Sequence, residues 1–146
     1  MTMSKRDNYS CGAANLGIGT TTSKVRTTTN VAQYVIDGRA YFKAATDDLF
    51  TLSGTALAAN EVCAFFLYLD SAGTASVEQS AIAKASTAAS GYVAGAFQWP
   101  EPASKACIGA VLIKSGGSAF TPGTTALTSV ATYINMAFDY GKPIAY

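Results

Sequence analysis

Between Glu61 and Asp70 the chain reads Glu-Val-Cys-Ala-Phe-Phe-Leu-Tyr-Leu-Asp, eight apolar or aromatic residues held between two carboxylates and followed at once by Ser-Ala-Gly. A run of this length with aromatic content and turn formers behind it predicts a strand covered on both faces. A buried helical segment has the same apolar signature, and the length and the flanking residues favour the strand. The run falls well short of the roughly 20 apolar residues that a membrane-crossing helix needs.

Residues 24–36 alternate at period two, with Val25, Thr27, Thr29 and Val31 on one face and Lys24, Arg26, Thr28 and Asn30 on the other. Asp37-Gly38 and a second β-prone run, 39–45, come next. Asp-Gly between two such runs predicts a hairpin, because a type I′ turn needs positive φ at both central positions. Thr46-Asp47-Asp48 marks a turn, 49–52 a short strand and 54–60 a loop. Residues 74–80 are expected to pair with the central strand. The Ala- and Ser-rich stretch 81–90 is expected to be loop, and 91–99 a strand with a bulge among its glycines, stopped by Pro100. Lys105–Lys114 is a second apolar run. Pro122-Gly123 suits a type II turn, and 130–138 alternates as the last strand. About eight or nine short strands without a convincing long helix predict an all-β fold, a β-sandwich or jelly roll. Residues 1–23 are expected to form an extended N-terminal arm, 24–138 the sandwich, and 139–146 a docking tail.

With 146 residues the chain suits one domain with a real core. Charged residues make up 13% and apolar residues 49%, where an ordinary soluble domain carries about 25% charged residues. So little charge is expected either of a surface covered by other protein or of one coated with neutral Thr and Ser. The arm and tail carry the side chains that a lone domain would leave wet. The expected protein contacts are Arg6, Tyr9, Leu16 and Ile18 in the arm, with Phe138, Tyr140, Ile144 and Tyr146 at the other end.

The residue inventory also argues against most chemistry. There is no histidine, which removes the commonest general base and the commonest metal ligand together. Cys11, Cys63 and Cys107 are scattered, without the close spacing of a zinc site, and are expected to be free thiols of a protein made in a reducing cytoplasm. No signal-peptide h-region follows Lys5-Arg6. Asp47-Asp48 is the one close carboxylate pair, and its position fits turn chemistry rather than glycoside hydrolysis. The glycines of 12–19 lack a phosphate-loop pattern. A net charge of +1 without a basic block gives no footprint for nucleic acid. Tyr92, Phe97 and Trp99 could stack on a sugar or base, but at alternate strand positions they read more simply as core. The expectation is a non-enzyme without cofactor or metal, with no nucleic-acid or membrane partner.

Three stretches resemble small virion proteins of tailed bacteriophages: Tyr34-Val-Ile-Asp-Gly-Arg-Ala-Tyr-Phe-Lys43, Tyr68-Leu-Asp-Ser-Ala-Gly-Thr74, and Ile108–Ile113 with Phe120-Thr-Pro-Gly-Thr-Thr-Ala-Leu127. The group most similar in character is the capsid cement or decoration proteins, which bind the outside of HK97-type shells. The resemblance implies a structural protein of the capsid exterior, made in the bacterial host cytoplasm. Its partners would be the major capsid protein and copies of itself, as a dimer or trimer at a symmetry axis. A tail-fibre or receptor-binding module for cell-surface glycan is the other virion role that the pattern fits.

Overall fold

The structure, a computed structural model, describes residues 8–10, 14–28, 31–85, 102–139 and 142–145. Among them run twelve strands and no helix. In chain order they are β1 (Tyr9–Ser10), β2 (Leu16–Ile18), β3 (Lys24–Thr27), β4 (Val31–Ile36), β5 (Arg39–Lys43), β6 (Phe50–Thr51), β7 (Glu61–Asp70), β8 (Ala75–Gln79), β9 (Ala83–Lys84), β10 (Lys105–Lys114), β11 (Ala131–Asp139) and β12 (Lys142–Ala145). They form one six-stranded antiparallel sheet, ordered β12-β11-β10-β7-β8 with β9 also on β7, and two three-stranded sheets, β1-β4-β5 and β2-β3-β6. The chain is all-β, as expected.

Strand β7 is the centre. Its ends are half-buried and every residue from Val62 to Leu69 is buried, so both of its faces are covered. Cys63, Phe65, Leu67 and Leu69 point into the main core. There they join Ala106, Ile108, Val111 and Ile113 of β10 and meet Leu16, Val25, Tyr34, Ile36 and Phe50 from the small sheets. Ala64, Phe66, Tyr68, Cys107 and Ala110 form a second cluster on the opposite face. Burying one Phe or Leu side chain stabilises by about 1.5–3 kcal/mol, so the paired β7 and β10 carry much of the stability of the fold.

A bulge in β10 makes that core possible. Cys107 is opposite Tyr68 and Gly109 is opposite Leu67, which leaves Ile108 as the extra residue. One extra residue reverses which parity faces inward. Ala106 therefore faces the core before the bulge, Ile108 at it, and Val111 and Ile113 after it. Without the bulge, one half of this apolar run would point away from the core.

The turns follow their sequence signals. Asp37 and Gly38 both have positive φ, 51° and 79°, and Ile36 is opposite Arg39. At Pro122-Gly123 the Thr124 amide donates to the Thr121 carbonyl at 3.1 Å, and Gly123 takes φ 76°. In the turn after β7, Asp70 Oδ1 accepts the amides of Ala72 and Thr74, both at 2.9 Å. Ser115, almost fully buried, ties the two long strands together. Its Oγ accepts the Glu61 amide at 2.9 Å and donates to the Ala58 carbonyl at 2.6 Å.

Three sequence expectations change. The alternation over 24–36 is right about faces in β3, where Val25 and Thr27 are buried. It does not make one strand: the Thr28 amide turns to the Asn15 carbonyl at 3.0 Å, and β3 and β4 lie in different sheets. The stretch 81–90 contributes β9, paired with the start of β7. Residues 14–23 belong to the fold and not to a separable arm, because Ala14 and Leu16 sit in the core and the Leu16 amide donates to Asn135 Oδ1 at 2.8 Å. The tail docks on its own chain, as β12 antiparallel to β11. The strand expected over 91–99 lies outside the described residues.

Candidate functional site

The contact residues expected from the sequence separate into three groups. Arg6, Tyr140 and Tyr146 lie outside the described residues. Leu16 is 8% exposed and Ile18 packs against the main core, so both serve the fold. Tyr9 pairs with Val35 through its backbone, while Phe138 is opposite Pro143 and Ile144 opposite Ala137. The two ends of the chain nevertheless converge: β1 and β2 both contact β11, and β12 pairs with it. Strand β12 is the outer strand of the large sheet on that side.

The polar residues that could suggest chemistry are engaged in local structure. Asp47 accepts the Thr20 amide at 3.0 Å, and Asp48 accepts the Thr21 amide at 3.0 Å and the Thr21 hydroxyl. Hydrogen bonds from Thr20, its side chain first and then its amide, hold the Asp47 carboxyl below the usual range. Glu61 is lowered by the Ala58 amide, at 2.8 Å, and then by Lys84, at 3.1 Å. The Gln79 side chain accepts the Thr55 amide at 2.7 Å and donates to the Thr55 carbonyl at 2.8 Å, which pins the loop before β7 onto β8.

The described thiols are muted, and Cys11 lies outside the described residues. Cys63 and Cys107 are free and buried, and desolvation pushes their thiols up to about 11 and about 12. Neither forms a thiolate near neutral pH, the form that reacts. Burial also raises Tyr68, whose hydroxyl donates to Glu78 Oε2 at 3.0 Å while Lys105 Nζ stands 4.7 Å from the ring centre. Among the described residues no three His, Cys, Asp or Glu side chains converge on a metal position.

Two shallow depressions mark the described surface. One, of about 380 Å³, lies between Leu49–Ser53 and Ala75–Val77, and the other, of about 310 Å³, lies along 115–120 and 125–130. Neither gathers charged groups. The feature that sequence reasoning missed is on β5, where Phe42 is 62% exposed, the one large apolar side chain so exposed among the described residues. The alternation of Arg39-Ala40-Tyr41-Phe42-Lys43 was visible. Which of its two faces would be covered was not, since Tyr41 and Phe42 are equally apt for either.

Compared with family models, curated proteins and solved structures, the chain matches none of them.

Proposed function

We propose that this chain is a structural virion protein, a cement or decoration protein that binds the outside of an HK97-type phage capsid and stabilises the shell. The observation that carries the reading is how the chain spends its few polar groups. With 13% charged residues, its carboxylates, amides and buried hydroxyl go to its own turns and strand ends, at Asp47, Asp48, Glu61, Asp70, Gln79 and Ser115. What it offers outward includes sheet edge and a thinly charged surface, suited to shape-based contact. The resemblance of the 34–43, 68–74 and 108–127 stretches to small phage virion proteins points the same way.

In this reading the contacts to the shell come from the region where both chain ends adjoin β11. They involve Arg6 and Tyr9 from the first segment and Phe138, Tyr140, Ile144 and Tyr146 from the last. Added buried area across subunit seams raises the force needed to open the shell, and a standard interface of about 1,600 Å² per copy is sufficient. The test is chemical cross-linking of intact particles followed by identification of the linked peptides. Links from 1–13 and 139–146 to the major capsid protein are expected. Particles that carry the chain only on tail fibres, with cell attachment lost on Trp99→Ala, would replace this reading with the glycan-binding one.

A further inference from the structure

Strand β5 is the outer strand of its sheet, ordered β1-β4-β5. Because a two-residue turn joins it to β4, the facing pair Ile36 and Arg39 exchange hydrogen bonds, and so do Tyr34 and Tyr41 two residues on. The N–H and C=O groups of Ala40 and Phe42 therefore point away from β4, along an edge where no other described strand lies. The side chains divide in the same alternation. Ala40 and Phe42 share the outer face and are exposed, whereas Tyr41, on the other face, stacks on Tyr34 with ring centres 5.7 Å apart. Natural edges of this kind are usually blunted or covered, since they are templates for another strand.

We propose that this edge is where two copies of the chain pair, antiparallel, about a two-fold axis through Phe42. That register puts Phe42 opposite its own counterpart, Ala40 opposite Ala44, and Lys43 opposite Tyr41. The outward N–H and C=O of Phe42 meet those of the second Phe42, which closes two reciprocal hydrogen bonds. The two aromatic rings become directly facing neighbours on the outer face. Lys43 has an aromatic ring and not another cation across from it, which suits a cation–π contact. The alternative axis, through Tyr41, would set Arg39 against Lys43 twice, and like charges directly opposed are destabilising. The flanking charges thus disfavour the Tyr41 axis, and an axis through Ala40 would set Phe42 against Gly38 and lose the facing aromatic pair.

A five-residue edge buries less than the roughly 1,200 Å² of a stable interface, so the dimer is weak when free and gains from a dense array that raises the local concentration. The inference concerns self-association and does not depend on shell binding. The experiment uses the isolated protein, so failure of either reading is seen separately.

The full chain carrying Cys11→Ser is given a single new thiol, either Phe42→Cys or Ala40→Cys, and each variant is mildly oxidised at high protein concentration. Facing Cα atoms of a hydrogen-bonded pair are about 5.5 Å apart, inside the disulfide range of about 4.4–6.8 Å. The two Ala40 positions would lie about 13 Å apart along the strands. A covalent dimer is expected from Phe42→Cys and a monomer from Ala40→Cys, with unchanged far-ultraviolet circular dichroism in both. Equal cross-linking of the two variants, or more from Ala40→Cys, would overturn the proposal. Sedimentation supplies a second reading without cysteine: Phe42→Lys should weaken self-association at least about tenfold. An unchanged association constant, or a wild-type protein that stays monomeric at every concentration, would also overturn it.

Discussion

An added methyl group at Gly109 would lie 2.5 Å from the Ile134 carbonyl oxygen and 2.6 Å from Leu16 Cδ1. The first neighbour is backbone in the paired strand β11 and cannot move without breaking that ladder. Gly109→Ala is therefore expected to cost about 1–3 kcal/mol, as overpacking of a filled core does. Gly116, with nothing within 4 Å, supplies the comparison, and Gly116→Ala should stay within about 0.5 kcal/mol of wild type in chemical denaturation. A similar loss from both would show that the close approach of β11 does not exist. Asp47 contributes to the acid behaviour, as does the likewise lowered Glu61. The lowered Asp47 carboxyl stays ionised in the folded chain where the unfolded chain would begin to take up a proton. This contribution is fully present above the ordinary carboxylate range, about pH 4, and is lost as pH falls through the lowered folded value. Between pH 7 and about pH 3 the melting temperature of Asp47→Asn should fall less than that of wild type; parallel curves would contradict the assignment. At this scale the sequence was informative wherever a residue type is tied to a backbone angle, as at Asp37-Gly38 and Pro122-Gly123. Gly109 was not legible, because its role depends on Leu16 and Ile134, remote in sequence.

The long apolar strands β7 and β10 were visible from their runs alone, with ends that match their flanking charged residues. The bulge at Ile108 was not, since a continuous apolar run has no polar marker to register a change of parity. Partner choice was also hidden. Alternation tells which side chains face inward in β3, but in β4 the buried Tyr34 and Ile36 have the opposite parity, and the backbone partners are set by distant carbonyls such as that of Asn15. The first segment shows what this means in practice. Leu16 and Ile18 looked like docking residues on a free arm because they stand among Gly, Asn and Thr, yet β2 pairs with β3 and closes the core. Deleting residues 1–23 is thus expected to destabilise the domain, by at least the roughly 2–5 kcal/mol of losing one core leucine. Thermal unfolding followed by circular dichroism checks this. A 1–23 deletion that melts like wild type would remove β2 from the core.

At the scale of the whole molecule, the chain joins a well-filled interior to a composition with few charges, 13% of its residues. Composition made that contrast plain, but it could not say which surface meets another protein. Two regions emerge only once the strands are placed: the β11 side, where both chain ends come together, and the open β5 edge with Phe42. The most direct test images shells assembled with and without this chain and follows their opening on heating. The account predicts ordered density on the outer surface, repeated at a symmetry axis, and a higher opening temperature for the occupied shells. Bare shells at saturating protein, with an unchanged opening temperature, would contradict it.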